Sequence, residues 1–83
     1  MKIPPIKRTS SPKEYLEWVQ HVEKVFECQD YSEIKKYKLA ALEFTDYANL
    51  WWENVKAQRR RIGEEEIQSW RLMKQIMEKQ FIS

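Results

Sequence analysis

Apolar side chains recur at helical spacing from Tyr15 to Phe81. Tyr15, Trp18, Val19, Val22, Val25 and Phe26 fall on one broad face at about 100° per residue, with Leu16 at its edge. Glu17, Gln20, Glu23, Lys24 and Glu27 lie outside it. Ser11-Pro12-Lys13-Glu14 precedes this run: Ser11 can cap, Pro12 suits the first helical position, and Glu14 stands where a capping box needs it. The pattern predicts a first helix over 12–28, behind an extended arm over 1–10. In the arm, Pro4 and Pro5 fix φ, and Ile3 and Ile6 could dock onto a helical surface.

Gln29-Asp30-Tyr31 reads as a turn and Ser32 as the cap of a second helix over 33–43. Tyr37, Ala40, Ala41 and Phe44 share one side, joined by Ile34, while Leu39 and Leu42 point elsewhere. That helix is therefore expected to be touched on more than one face. Thr45 is the expected cap of a third helix over 46–61, with Ala48, Trp51, Trp52 and Val55 inward and Leu50 off the face. Trp51 and Trp52 point about 100° apart, so they imply packing on two sides or an apolar surface left for a partner. Arg59-Arg60-Arg61 faces the negative end of the helix dipole, and Gly63 can take the left-handed position beyond it. After the charged connector Glu64-Glu65-Glu66, a fourth helix over 68–80 carries Trp70, Met73, Ile76 and Met77, with Phe81 beyond and Gln68 or Ser69 at its start.

The fold class that follows is all-α, a compact bundle of about four helices with an extended N-terminal arm. The helical domain spans 11–83. The expected core is Trp18, Val22, Phe26, Ala41, Trp51, Val55, Trp70 and Met77. Composition adds one exclusion: with one Gly and three Pro, hairpin turns are scarce and a sheet is not expected.

Chemistry is thinly represented. His21 is the only histidine and Cys28 the only cysteine, so a nucleophile–base pair and a metal cluster are both hard to build. Glu64, Glu65 and Glu66 are adjacent and not set across a cleft, and no Gly-rich phosphate loop occurs. No enzyme activity and no cofactor are expected. A single cysteine suits a reducing intracellular setting, hence the cytoplasm. No apolar run reaches membrane-spanning length, and Met1 to Ile6 is too short and proline-broken for a signal peptide, so no membrane partner is expected.

Three stretches carry a family likeness. They are Ile3-Pro4-Pro5-Ile6 followed by Tyr15-Leu16-Glu17-Trp18; Lys38-Leu39-Ala40-Ala41-Leu42 running into Ala48 and Trp51-Trp52; and the spaced set Ile67, Trp70, Met73, Met77 and Phe81. In that order and spacing the chain resembles the N-terminal lobe of the Gag capsid of Ty3/gypsy long-terminal-repeat retrotransposons, especially plant-type elements, or a domesticated Gag-derived protein. It departs in having Ile6 where members often have Phe, and in lacking a Gly near Arg8. The Cys-Cys-His-Cys knuckle that binds RNA in the family does not occur here.

The resemblance implies a structural protein whose copies contact one another weakly in a shell. The alternative it implies is an adapter that accepts a peptide in an apolar groove between helices. Candidate groove or interface residues are Ile3, Ile6, Tyr47, Trp52, Arg59, Arg60 and Arg61, and Trp18 or Trp51 could also line such a groove. The arginines of one copy could meet the glutamates of another. Lys35, Lys36 and Lys38 with Arg59 to Arg61 could form a basic patch, but the net charge of only +2 argues against direct nucleic-acid binding.

Overall fold

The computed structural model describes residues 5–7 and 10–82, with the side chain of Asp46 excepted. Helix α1 spans Pro12–Glu27, α2 Glu33–Ala41, α3 Asp46–Arg61 and α4 Trp70–Phe81. Two short strands, β1 at Ile6–Lys7 and β2 at Phe44–Thr45, pair in parallel with Ile6 opposite Phe44.

The helix starts follow from local hydrogen bonding. At α1 the Glu14 amide donates to Ser11 Oγ at 3.2 Å and the Ser11 amide donates to Glu14 Oε1 at 2.9 Å, a complete capping box. Ser32 Oγ accepts from the Lys35 amide at 3.3 Å, and Ser69 Oγ accepts from the Leu72 amide at 3.0 Å. At the end of α3, the Gly63 amide reaches the Arg60 carbonyl at 3.2 Å and the Glu64 amide reaches the Arg59 carbonyl at 3.0 Å. This is a Schellman closure, and Gly63 adopts the left-handed φ of 82° that it requires.

The strand pair corrects the expectation of no sheet. Scarce turn residues exclude hairpins, but a parallel pair needs no tight turn, because α1 and α2 supply the crossover. The third helix starts at Asp46 with Thr45 at the N-cap position, as expected, but the pairing takes the Thr45 side chain. Thr45 makes no side-chain cap; its hydroxyl donates to the Ile6 carbonyl at 3.1 Å, stitching β2 to the arm. The same pull shortens the second helix, which ends at Ala41 and not at 43, because the chain must extend by Phe44. Helix α4 starts two residues later than expected, since Ile67 is buried as an anchor and Ser69 takes the cap.

The core is a set of aromatic rings and small spacers contributed by all the elements. Trp18, Val22, Phe26, Trp70 and Met77 are buried in it, together with Ile6, Tyr15, Ala40, Phe44, Ala48, Trp52 and Met73. Three expected core residues sit less deeply: Ala41, Trp51 and Val55 are half-buried and pack against its rim. On α2 the inward register falls on Ala40, one position earlier, so Ala41 turns sideways. On α3 only one of two adjacent indoles can point along the inward stripe. Ala48 and Trp52, four residues apart, share it, and Trp51 lies about 100° away.

Ring contacts form one continuous chain through the molecule. Tyr31 meets Phe26, Phe26 meets Trp70, Trp70 meets Trp18, and Trp18 meets Phe44. Phe44 meets Trp52, which touches Tyr37 and Trp51; Trp51 meets Phe81, and Phe81 stacks on Tyr15 at 5.1 Å. Among the described residues Tyr47 is the one aromatic outside this chain, and it is 69% exposed.

Candidate interaction surfaces

The sequence-derived candidates separate into three groups. Ile3 lies outside the described residues. Ile6 and Trp52 are not surface residues: Ile6 is 2% exposed beneath the strand pair, and Trp52 is 1% exposed. Trp52 is taken inward because its indole fills the space beside Phe44 and its Nε1 donates to Tyr37 Oη at 3.3 Å. Tyr47, Arg60 and Arg61 are exposed, while Arg59 is partly covered.

Large apolar side chains are left exposed at several places, among them Leu16, Ile34, Ile62 and Ile82, and three are exposed where α2 passes into α3. Leu42, just past α2, is 78% exposed, and Tyr47 and Leu50, three residues apart on the first turns of α3, are 69% and 55% exposed. In the sequence Leu42 and Leu50 stand out only as residues off the inward face; their nearness to Tyr47 along the chain is the signal that groups them.

A shallow cleft of about 310 Å³ lies between the arm and α1, lined by Pro5, Ile6, Ser10, Glu14, Glu17, Trp18 and His21. Its character is acidic at the rim and aromatic at the floor. The outward edge of β1 beside it is already occupied. Pro5 has no N–H, the Lys7 amide donates to Ser10 Oγ at 3.3 Å, and the Lys7 carbonyl accepts from the Ser10 amide at 3.1 Å. An extended segment entering the cleft finds no open backbone donors at Pro5 and Lys7 to pair with.

The face formed by α1, α2 and α4 is polar but spoken for. Glu23 accepts from Trp70 Nε1 and from Lys74 Nζ at 2.9 Å, and Lys74 also lies 5.5 Å from the Trp70 ring. Burial pushes the Glu23 carboxyl up, but hydrogen bonds from Lys74 and Trp70, with the charges of Lys74 and Lys36, outweigh it and hold it below the usual carboxylate range. Glu33, at the start of α2, accepts from the Arg71 amide at 3.0 Å and pairs with Lys36 at 3.5 Å, so it also caps α4 from across the bundle. Nothing local marks these pairs, because Glu23 and Trp70 are 47 residues apart.

Three of the six basic residues named as a patch are similarly committed. Lys35 lies 4.9 Å above the Tyr31 ring and Lys36 5.9 Å above that of Phe26, which gives both a local structural role. At the α3 end, Arg59 pairs with Glu64 at 2.7 Å and donates to the Glu65 carbonyl at 3.3 Å. Glu64 and Arg59 occupy the two positions of the Schellman closure where an apolar contact is usual, so an ion pair locks this corner. No helix among the described residues is long and apolar enough to cross a membrane. No group of three or more His, Cys, Asp or Glu among them could hold a metal ion.

Among known proteins, neither the curated sequences nor the solved structures hold a significant match to the chain. A family model does match: retrotransposon-derived protein PEG10, N-terminal capsid-like domain, over residues 3–82. That span takes in the arm, the strand pair and all the helices described above, so the chain belongs to the family of the PEG10 N-terminal capsid-like domain, a structural domain derived from retrotransposon Gag.

Proposed function

We propose that this domain is a non-catalytic building block that makes weak, repeated contacts with other copies of itself, in a virus-like shell of the Ty3/gypsy type, in the reducing interior of the cell. The observation that carries this reading is the fate of the aromatics. Among the described residues every aromatic ring but that of Tyr47 is joined in the internal chain, while Tyr47, Leu42 and Leu50, close in sequence, remain exposed. Membership of a capsid-like family supports a second copy as the occupant of that surface. Weak contacts suit a shell, which must close reversibly from many identical steps.

Sedimentation of the isolated domain across a wide concentration range tests the proposal. A monomer at low concentration with gradual association at high concentration is expected, and Tyr47→Ser with Leu50→Ser should weaken the association without unfolding the domain. A tight closed dimer at nanomolar concentration, or association untouched by the double substitution, would count against it.

A second reading, a peptide-binding adapter, is favoured by the cleft beside the arm. Glu14 and Glu17 at its rim suit a basic, extended segment, and Trp18 would meet its apolar side chains. Deleting residues 1–8, which supply the Pro5 and Ile6 wall of this cleft, should cost stability and weaken the binding of such peptides. If neither changes, the adapter reading fails.

A further inference from the structure

The corner between α3 and α4 carries charges that the fold does not use. Arg60 and Arg61 end α3, Ile62 follows at 64% exposure, and Glu65 and Glu66 come just beyond Gly63. All four charged side chains are exposed. Among the described residues none of them has an ion-pair or side-chain hydrogen-bond partner, because Arg59 has taken Glu64 and the Glu65 backbone. The corner is nonetheless rigid: the Schellman closure fixes the turn and buried Ile67, at 2% exposure, anchors the chain on its far side. A fixed knob therefore presents two positive charges, an exposed aliphatic side chain and two negative charges in sequence order.

Such a pattern is its own complement. A two-fold axis through the knob places the positive end of one copy against the negative end of the other, and reverses the relation for the second pair. We propose that this corner is an isologous contact between two copies of the chain, with Arg60 and Arg61 of each facing Glu65 and Glu66 of the other around a central pair of Ile62 side chains. The contact rests on the assembly reading above and names one of its surfaces. Its charges are exposed, so it is weak by itself and sensitive to salt. Complementary charge fixes the register, and the apolar centre excludes water from it.

Charge exchange tests it, read by sedimentation at high protein concentration and low salt. Arg60→Glu with Arg61→Glu makes the knob wholly acidic, and Glu65→Arg with Glu66→Arg makes it wholly basic. Each double variant should associate more weakly than the parent chain while keeping its helical circular dichroism, with a modest fall in melting temperature for the arginine exchange, which opposes the α3 dipole. An equimolar mixture of the two should form a heterodimer, and the chain carrying all four exchanges should regain self-association. Raising the salt to about 1 M, where the Debye length is about 3 Å, should dissociate each of these species. If the parent associates and the double variants associate equally well, this contact is refuted and the wider assembly reading stands. If the mixture and the four-fold exchange both stay monomeric, the contact is refuted, and the Tyr47 and Leu50 variants decide the assembly reading independently.

Discussion

Glu23 ties α1 to α4 through one carboxylate, since it accepts from Trp70 Nε1 and Lys74 Nζ on α4. Its folded-state pKa is depressed, so its contribution is complete above the ordinary value of 4.5 and is lost as pH falls through the folded value. Glu23→Gln should flatten the acid limb of the melting-temperature profile. With both partners substantially exposed, the effect at neutral pH should stay below about 1 kcal/mol. Tyr15 acts at the other extreme. Burial first, and the charge of Glu78 second, push its hydroxyl up to about 12. The folded state thus holds a proton that the unfolded chain releases from its ordinary value of 10 upward, and stability should fall as pH rises through that window. Tyr15→Phe should remove this alkaline loss; an unchanged alkaline limb would show that another group is responsible. The two indoles of α3 should also part company. Trp52→Ala should cost roughly 3–5 kcal/mol by chemical denaturation, and Trp51→Ala about half that. The sequence shows only that adjacent indoles diverge by about 100°. Which of them faces inward is decided by Phe44 and Tyr37, which arrive from other elements.

At the scale of the element, helices were legible and their joints were not. Ser11, Ser32, Ser69 and Gly63 announce starts and a stop through short-range chemistry, and each acts where its type predicts. Gly63→Ala should cost about 1 kcal/mol from its left-handed backbone alone, since an added Cβ meets nothing within 4 Å. A loss much larger than that would reveal crowding absent from this description. The strand pair was not legible, because its members lie on either side of two helices and each is two residues long. No alternation can be read from so short a segment. Its weight is nevertheless that of a core element. Ile6→Ala should cost about 2–5 kcal/mol, measured by denaturant unfolding, and a loss under about half a kcal/mol would mean that the arm is only loosely applied.

For the whole molecule, the continuous chain of rings joins α1, α2, β2, α3 and α4 into one packing unit with a Cα radius of gyration of 12.5 Å. None of these five elements can leave without breaking a ring contact. Unfolding should therefore be two-state, with tryptophan fluorescence and far-ultraviolet circular dichroism giving coincident transitions. The contact surfaces were harder to foresee than the core. Burial follows from periodicity, but whether an exposed Tyr47 or Arg60 is used depends on what the rest of the fold has already claimed.

The sealed outer edge of β1 has a consequence for crowding. A shell holds its subunits at very high local concentration, where any unpaired strand edge invites the next molecule to zip on and start a fibre. With Pro5 offering no N–H and Ser10 folded back onto Lys7, this edge presents such growth with no open backbone donor, which in the proposed shell would favour dense packing over aggregation.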